Sequence, residues 1–547
     1  MKKKQWIVLS ILSGLLLGFS WYPVGTPFLI FIAFIPLFIL GGLLESDKSK
    51  PAFWYGMICS WPAFLLWNSI TLWWIWTGSP IGAITAIGLN SLLMAIVFGF
   101  WQFFKRHNPH SWHSPLFFIA LWCCFEFMHL HWELSWPWLN LGNVFAPVTR
   151  LVQWYEYTGT FGGSVWILAV NFMGYCLLHF IKIHKRLSIG YTAGFLLCLF
   201  IPVLASLFLY SRYQPERKTP IEAVIVQQNT DPWNEQYVLS NTAQTIRLID
   251  VASPCLTSST ELMVCPESAI ASSVSLHSLF EKNYPKDHDH FKGFVMFDSL
   301  IGIFPQLNII TGVSTFGIFD QKLRHSVKPR APGVFVELYT SAACINRNGV
   351  SDIIHKSKLV PGVEMIPFPA LFAPLEKFMV DLGGPKGSYG IDTSQRAFQT
   401  TIQDGKVKIG TTICYESVYG EYFSRFVKDG AQLMSIITND TWWGNTPEYK
   451  QHFVFARLRA VETRRTVIRS ANNGISGFID EKGNILAQSN HNERTAIKGT
   501  VYPNDKITFY VKHGDYLARI AMGLTILFLI YILWHLGMKK RNRITKK

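Results

Sequence analysis

The chain has 547 residues and a formal net charge of +15, yet only 16% of its residues are charged and 49% are hydrophobic. An aromatic content of 15%, with 20 tryptophans and 41 phenylalanines, excludes an ordinary soluble enzyme and indicates a membrane protein. The basic residues cluster beside apolar segments and at the C-terminal end, and no nucleic-acid-binding or phosphate-binding motif is present, so they indicate a membrane surface rather than nucleic acid.

Eight apolar stretches are long enough to cross a bilayer as helices, at roughly 18–24 residues each. Seven of them precede residue 211 and the last lies near the C-terminus: 5–22, 26–44, 53–75, 81–104, 115–133, 163–182, 188–210 and 517–537. The first stretch follows three lysines, as a signal peptide would. No small-residue cleavage site follows it, so we expect a retained first helix.

Lysine and arginine are unevenly distributed among the loops that join these stretches. Alternate loops and both chain ends carry Lys2, Lys3, Lys4, Lys48, Lys50, Lys105, Arg106, Lys182, Lys185, Arg186, Lys539, Lys540, Arg541 and Arg543. The other loops carry only Arg150, so both termini are expected in the cytoplasm. The predicted organisation is therefore a seven-helix membrane domain over 1–210, an extracytoplasmic domain over 211–516, and an eighth helix with a basic cytoplasmic tail over 517–547.

The segment 211–516 alternates short β-rich runs with longer mixed segments, which is typical of an α/β domain. Its length suffices for a hydrophobic core of its own. The predicted strands are 222–227, 261–265, 308–312, 342–346, 407–414, 433–438, 476–480 and 496–501. A helical pattern is clearest over 450–463.

Cys414 ends the predicted strand 407–414, and a polar segment that could begin a helix follows it. A thiol at a strand-to-helix junction is exposed at the sheet edge and close to the positive end of the helix dipole. We therefore expect a lowered thiol pKa and a nucleophilic thiolate. The alternative interpretation is a small buried hydrophobic residue, which is the usual role of a free cysteine.

Two further polar residues also follow predicted strands or apolar runs. Glu267 comes after strand 261–265 and a proline that ends it, and Lys356 comes after the apolar run 350–354. Taken singly, they could be a solvated turn carboxylate and a surface lysine. Together with Cys414, these two residues would form a catalytic triad. The carboxylate would take the thiol proton, the ammonium would stabilise an oxyanion, and the cysteine would attack an acyl carbon.

The order of these motifs resembles the Glu-Lys-Cys triad of the nitrilase superfamily. The motifs are Pro266-Glu267, then Lys356 with Leu359-Val360-Pro361 and Glu364, then Cys414-Tyr415-Glu416. With the eight apolar stretches, the chain resembles the apolipoprotein N-acyltransferase family of bacterial envelopes. Further matching segments are 135–142, 226–229, 439–444, 451–452, 457–462 and 472–476. The resemblance implies a four-layer α-β-β-α sandwich for the segment 211–516.

The resemblance also implies roles for single residues. Glu267 would be the general base, Lys356 the oxyanion stabiliser and Cys414 the nucleophile. The supporting or substrate-binding positions that it implies are Glu364, which would orient the lysine, Tyr415, Glu416, Asn439 and Trp442. The chain departs from the family pattern at Cys265, at Pro361-Gly-Val-Glu364 and over 231–235, which concerns the lipid pocket rather than the triad.

The activity that the resemblance implies is a ping-pong acyl transfer in the bacterial inner membrane, with the catalytic domain on the periplasmic side. A phospholipid would acylate Cys414, and the α-amine of the diacylglyceryl-cysteine of an apolipoprotein would accept the chain. A thioester acylates amines well, so no ATP, metal or organic cofactor is required. One alternative is a membrane-anchored nitrilase-type amidohydrolase acting on a small soluble amide. A transporter is disfavoured, because Glu126 is nearly the only charge within the apolar stretches.

Overall fold

The computed structural model describes residues 3–108, 110, 113–217, 219–281, 288–374, 388–403 and 405–544. The chain divides into two compact units. The helical unit comprises Met1–Ser211 and Asp515–Lys547, and the α/β unit comprises Arg212–Gly514.

Apolar helices make up the helical unit. Their bounds are α1 Lys3–Gly18, α2 Ile30–Ala33, α3 Ile35–Ser46, α4 Ala52–Leu72, α5 Ile75–Gly78, α6 Pro80–His107, α7 His113–His129, α8 Tyr155–His184, α9 Ile189–Arg212 and α17 Tyr516–Ile544. Within the described residues, five helical segments are long and apolar enough to cross a membrane: Pro27–Ser46, Pro80–His107, Tyr155–His184, Ile189–Arg212 and Tyr516–Lys539. Helix α1 is apolar but shorter, so the count of eight spans remains a prediction.

Glu126 on α7 is buried inside the helical unit, where an unpaired polar group would be costly. Three donors satisfy its carboxylate. The indole of Trp122 and the backbone N–H of Leu141 donate to Oε1 over 3.1 and 2.7 Å, and the Ser164 hydroxyl donates to Oε2 over 2.7 Å. The carboxylate therefore ties α7 to α8 and to the segment that begins at Leu141.

The α/β unit contains two β-sheets and the helices that flank them. Its strands are β1 Ile221–Gln227, β2 Thr260–Val264, β3 Ile270–Ser275, β4 Asn308–Phe319, β5 Lys328–Ala331, β6 Val334–Asn346, β7 Gly349–His355, β8 Phe398–Ile402, β9 Gly405–Ile413, β10 Leu433–Thr438, β11 Val467–Ala471, β12 Gly477–Ile479, β13 Ile485–Gln488 and β14 Thr495–Val501. Its helices are α10 Asn241–Ala252, α11 Leu276–Glu281, α12 Asp289–Ile303, α13 Pro369–Phe372, α14 Gly420–Lys428, α15 Glu448–Thr463 and α16 Phe509–His513.

One sheet has eight strands, six of them in the order β14-β1-β2-β4-β6-β5, with β3 paired to β4 and β7 paired to β6. The other sheet has six strands in the order β13-β12-β11-β10-β9-β8. Both sheets have a parallel centre, β1-β2-β4 in one and β9-β10-β11 in the other. Strand β3 also pairs with β4 in parallel, and the remaining strands pair antiparallel. The carboxyl ends of parallel strands lie at the same edge of a sheet, and this edge is where α/β proteins place their ligands.

The two sheets stack face to face with helices outside them. Helices α10 and α12 cover the eight-stranded sheet through a core that includes Leu248, Met263 and Phe297, all fully buried. Helices α14 and α15 pack on the six-stranded sheet. Between the sheets, the Ser470 hydroxyl on β11 donates to the Val226 carbonyl on β1 over 2.7 Å. The predicted α/β class is confirmed, and the layer order is the expected α-β-β-α.

The predicted strands and the helix 450–463 are confirmed to within a few residues, apart from the lengths of two strands. Strands β4 and β6 extend well beyond the predicted 308–312 and 342–346, because they pair with each other as one long antiparallel ladder. Strands β3, β5, β7, β8, β11 and β13 lie outside the predicted strands, although the apolar run 350–354 falls within β7; several are short or lie at a sheet edge.

Candidate active site

Glu267 lies in the loop that follows β2, and a neighbouring glycine makes room for this loop. Gly312 on β4 donates its N–H to the Pro266 carbonyl over 3.1 Å. A Cβ at Gly312 would lie 2.5–2.6 Å from the backbone of residues 266–268, so only glycine allows this close approach. The Glu267 side chain is 7% exposed, and its Oε2 accepts the backbone N–H of Asn439 over 3.0 Å.

Lys356 follows β7 and lies between two carboxylates. Its Nζ donates to Glu267 Oε1 over 3.1 Å and to Glu364 Oε1 over 2.7 Å, and the residue is 1% exposed. Burial alone would lower the pKa of Lys356, but the charges of Glu267 and Glu364 outweigh it and raise this pKa well above its usual range. The lysine therefore stays an ammonium in a site without bulk water.

A tight loop presents Glu364 to the lysine. The carboxylate Oε2 accepts the Val360 N–H over 2.8 Å, while the Glu364 N–H donates to the Val360 carbonyl over 2.9 Å. Gly362, between them, has a φ of +76°, which glycine adopts at little cost. The bond to the Val360 N–H leaves Oε1 directed at Lys356, in keeping with the lysine-orienting role that the sequence predicts.

Cys414 follows β9, so the thiol belongs to the six-stranded sheet while Glu267 and Lys356 belong to the eight-stranded sheet. Its backbone has a φ of +52°, which is uncommon for a residue with a Cβ and is typical of strained junctions at functional sites. The thiol and the Glu267 carboxylate lie close enough for each to shift the pKa of the other. The fold thus brings the three residues of the predicted triad together across the gap between the sheets.

The expected lowering of the Cys414 pKa is wrong. Burial and then the Glu267 charge raise the pKa of this thiol well above its usual range, although the Lys356 ammonium acts in the opposite direction. The chain after Cys414 forms a short 3-10 turn, Cys414–Val418, rather than an α-helix, so no long helix dipole points at the sulfur. The resting group is a thiol. Its proton must pass to a base, and burial raises the pKa of Glu267 more than Lys356 lowers it.

Glu416 is buried beside the nucleophile and joins the two sheets. Its Oε1 accepts the backbone N–H groups of Ser357 and Lys358 over 2.6 and 3.2 Å, next to Lys356. Its Oε2 accepts the Ile413 N–H over 2.8 Å, next to Cys414. With these hydrogen bonds, the Glu416 carboxylate fixes the loop that carries Lys356 relative to the strand that precedes Cys414.

The remaining predicted residues surround the triad in different ways. Tyr415, the residue after the nucleophile, is 3% exposed, and its ring centre lies 5.2 Å from that of Tyr419. Asn439 is 3% exposed; besides its backbone bond to Glu267, its side chain donates to Gln236 over 2.9 Å. Trp442 forms an edge-to-face pair with the half-exposed Trp233, with 5.4 Å between ring centres, and so lies at the surface.

Sequence reasoning missed two tyrosines close to the triad. Tyr237 is 37% exposed and Tyr389 is half-buried, yet desolvation by the surrounding protein raises the pKa of both phenols above the usual range, and the charges of Glu267 and Glu364 add to this effect. The backbone N–H of Tyr389 also donates to the Glu364 carbonyl over 2.9 Å. Both residues lie in loops, where neither strand nor helix periodicity marks a functional position.

Asp440, Glu448 and His452 form a buried cluster whose potential ligand atoms lie within 4.8 Å of one another. Arg469 donates to Asp440 Oδ2 over 2.9 Å, and His452 Nδ1 lies 3.0 Å from Asp440 Oδ1. A cation placed there would lie beside the Arg469 guanidinium and compete with the imidazole for Asp440. The chemistry of this cluster is therefore that of a buried ion-pair network rather than of a metal centre.

Comparison with known proteins places both units in context. Residues 13–173 match the model of the apolipoprotein N-acyltransferase N-terminal domain, and residues 223–505 match the carbon-nitrogen hydrolase model. Proteins named apolipoprotein N-acyltransferase are similar over nearly the whole chain. The protein from Chlorobaculum tepidum is 27% identical, with 94% of each chain covered, and that from Rickettsia prowazekii is 26% identical, with 96% of this chain and 97% of the relative covered.

Among solved structures, Saccharomyces cerevisiae Nit3, a member of branch 10 of the nitrilase superfamily, covers 53% of this chain and 93% of its own, with 17% identity and a TM-score of 0.36. The carbon-nitrogen hydrolase model by itself spans more than half of the chain, and it covers Glu267, Lys356 and Cys414. The chain belongs to the carbon-nitrogen hydrolase family, in the branch of the apolipoprotein N-acyltransferases.

Proposed function

We propose that the chain transfers a fatty acyl group from a membrane phospholipid to the α-amine of the diacylglyceryl-cysteine at the N-terminus of apolipoproteins, through a thioester on Cys414. The observation that carries this proposal is the contact of Lys356 with Glu267 and Glu364, beside the half-buried Cys414. Relatives named apolipoprotein N-acyltransferase over nearly the whole chain support the acceptor and the reaction class.

In the first half-reaction, the Glu267 carboxylate takes the thiol proton as Cys414 Sγ attacks an ester carbonyl of the phospholipid. The carbonyl oxygen becomes an oxyanion, which the Lys356 ammonium stabilises. Collapse of this intermediate breaks the ester bond, and Glu267 returns the proton to the departing alkoxide of the lysophospholipid. Cys414 is left as a thioester.

In the second half-reaction, the α-amine of the acceptor attacks the thioester carbonyl and the same ammonium faces the new oxyanion. Glu267 takes a proton from the attacking amine, and the thiolate leaves as the amide forms. The leaving thiolate recovers a proton from Glu267, so the enzyme returns to its starting state with no net change. All the groups required are side chains of the chain itself.

The supporting residues act on this cycle without forming bonds to the acyl group. Glu364 accepts a hydrogen bond from Lys356, and the Asn439 backbone N–H donates one to Glu267. Glu416 holds the loop after Lys356 and the strand before Cys414 in fixed positions relative to each other. Tyr415 packs beside the nucleophile. Trp442, which is half-buried and paired with the exposed Trp233, is suited to contact with an acyl chain or a lipid-modified acceptor.

We further propose that the chain crosses the bacterial inner membrane eight times, with 1–210 and 517–547 providing the spans and 211–516 the periplasmic catalytic domain. Five long apolar helices support a membrane location, and the distribution of lysine and arginine supports the orientation. In this arrangement a phospholipid ester and a membrane-held acceptor reach the same side of the bilayer as Cys414.

The sharpest test of the proposed chemistry separates the two half-reactions. Purified protein incubated with phospholipid alone is expected to gain the mass of one fatty acyl group on Cys414, because no amine is present to discharge it. Intact-mass measurement and peptide mapping would detect the adduct. Neutral hydroxylamine should remove it, since a thioester is labile where an amide is not. A diacylated lipopeptide with a free N-terminal amine should remove it as well and gain a third chain.

The matched control is the same lipopeptide with an acetylated amine, which should leave the adduct in place. Absence of any acyl adduct, together with turnover of a small soluble amide, would favour the membrane-anchored amidohydrolase and contradict acyl transfer.

Topology is tested by fusing a reporter that is active only outside the cytoplasm. A fusion after Tyr213 is expected to be active and a fusion after Lys547 inactive, because an odd number of spans precedes the first position and an even number precedes the second. The reverse pattern would remove the acceptor assignment, since mature lipoproteins present their N-terminal cysteine on the outer side.

A further inference from the structure

The backbone carbonyl of the nucleophile is held by two side chains that the proposed cycle does not use. The Ser417 hydroxyl donates to the Cys414 carbonyl over 2.7 Å, and His452 Nε2 lies 3.2 Å from the same oxygen and 3.0 Å from Ser417 Oγ. Cys414 has a φ of +52°, in the left-handed region that is disfavoured for a residue with a Cβ. These contacts are therefore in the right place to hold a strained backbone.

A chain of buried groups fixes the imidazole itself. Asp440 Oδ1 lies 3.0 Å from His452 Nδ1, and Arg469 donates to Asp440 Oδ2 over 2.9 Å. Asp440, His452 and Arg469 are each at most 1% exposed. Burial would raise the pKa of Asp440, but the charges of Arg469 and His452 outweigh it and hold this pKa well below its usual range. The ionised Asp440 carboxylate keeps a proton on Nδ1, so the other ring nitrogen, Nε2, faces the Cys414 carbonyl.

Nε2 completes a triangle with the Ser417 hydroxyl and the Cys414 carbonyl. Ser417 has one proton, and in the neutral ring, which carries its hydrogen on Nδ1, that proton goes either to the Cys414 carbonyl or to Nε2. When the ring carries two protons, Nε2 donates to the carbonyl as well; otherwise the imidazole lies against the carbonyl at 3.2 Å without a hydrogen bond to it. Glu448, whose Oε1 lies 3.6 Å from Nδ1, has a pKa raised well above its usual range by burial, so it does not compete with Asp440 as a second carboxylate charge.

The three groups come from different elements, which makes the support rigid. His452 lies on α15, Asp440 follows β10, the strand next to β9 and Cys414, and Arg469 lies on β11, on the other side of β10. We propose that His452, oriented by Asp440 and Arg469, is a positioning residue that holds the Cys414 carbonyl and thereby aims the thiol at Glu267. This inference rests on the proposed role of Cys414 as the nucleophile. A displacement of about 1 Å at a reacting atom can cost about 10²-fold in rate.

The test compares two replacements of His452 that keep different halves of the imidazole. His452→Gln places an amide nitrogen near the position of Nε2 and can still contact the Cys414 carbonyl. His452→Asn places one near Nδ1 and keeps only the contact with Asp440. We expect kcat for acyl-enzyme formation to fall about 10²-fold in His452→Asn and by less than about 10-fold in His452→Gln, with KM unchanged in both.

A second pair of variants tests the carbonyl contact without touching the histidine. Ser417 and Ser424 are each 2% exposed, and each donates to the carbonyl three residues earlier, over 2.7 and 2.8 Å. Ser417→Ala is expected to slow acylation about 10-fold, and Ser424→Ala, whose hydroxyl bonds the Glu421 carbonyl on α14, should leave the rate unchanged.

A readout without lipid separates this inference from the proposed function. The rate at which iodoacetamide alkylates Cys414 is measured by peptide mass spectrometry and expressed per folded molecule. It should be slowest in His452→Asn, faster in Ser417→Ala, faster again in His452→Gln, and fastest in Ser424→Ala. This order would stand even if no lipid substrate were turned over. Equal rates in His452→Gln and His452→Asn, or a Ser417→Ala rate equal to that of Ser424→Ala, would overturn the positioning role.

Discussion

A Cys414→Ser variant is expected to fold and to form no measurable acyl-enzyme. The serine hydroxyl fits the same strained junction, but it is a far weaker nucleophile and a poorer leaving group than sulfur. Glu267→Gln keeps the shape of the side chain and removes the proton acceptor from a thiol whose pKa is already raised, so it should fail at the same step. We expect each variant to lose at least about 10³-fold in acylation rate, followed by intact-mass measurement with phospholipid.

Cys265→Ser is the matched control for this prediction. Cys265 lies two residues from Glu267, is fully buried and unbridged, and belongs to the hydrophobic core of the α/β unit; burial raises the pKa of its thiol to about 12. Its replacement should lower stability through the core and leave the adduct on Cys414. An adduct that disappears with Cys265→Ser and persists with Cys414→Ser would reverse the assignment of the nucleophile.

Lys356→Ala is expected to lower the acylation rate by about 10²–10³-fold, the loss that follows removal of one oxyanion donor. The same change leaves Glu267 and Glu364 without the cation between them. Breaking a buried ion pair in this way costs about 3–5 kcal/mol of stability. Both effects must be measured: the rate from a time course of acyl-enzyme formation, and the stability from the melting temperature, so that the rate is corrected to the folded fraction.

Lys358→Ala supplies the control for the lysine. The Lys358 ammonium lies 5.0 Å from the centre of the Tyr419 ring rather than between the carboxylates, and two residues along an extended chain place it roughly 7 Å away from Lys356. Its loss should change the rate little. A Lys356→Ala variant that acylates at a near-normal rate, or a Lys358→Ala variant that is the slower of the two, would contradict the assignment of the oxyanion stabiliser.

Hydrophobic periodicity and strand-ending residues were enough to predict the α/β class, the central strands other than β11, and candidate positions for the site. Glu267, Lys356 and Cys414 could be selected because each follows an apolar run, and parallel strands place their carboxyl ends at one edge. The resemblance to a known family added Glu364 and Glu416, whose roles depend on backbone contacts that no local pattern reveals.

The state of the thiol could not be predicted in this way. The sequence around Cys414 indicates a strand followed by a polar segment, but whether an α-helix or a 3-10 turn follows depends on the surrounding packing. Burial, which raises the pKa, is also set by residues far along the chain. The same limit applies to His452, since its helical position gives no sign that its two nitrogens face Asp440 and the Cys414 carbonyl.

Glu416 has a consequence for the order in which the molecule acquires activity. Its carboxylate joins a loop of one sheet to a strand of the other, so the reactive cluster does not exist in any partly folded form that has only one sheet. The residues concerned are also separated by more than fifty positions along the chain, and contacts of this kind form late, after the closure of long loops. The site can therefore carry out acyl transfer only after the two sheets have packed together, and not when either sheet has formed alone.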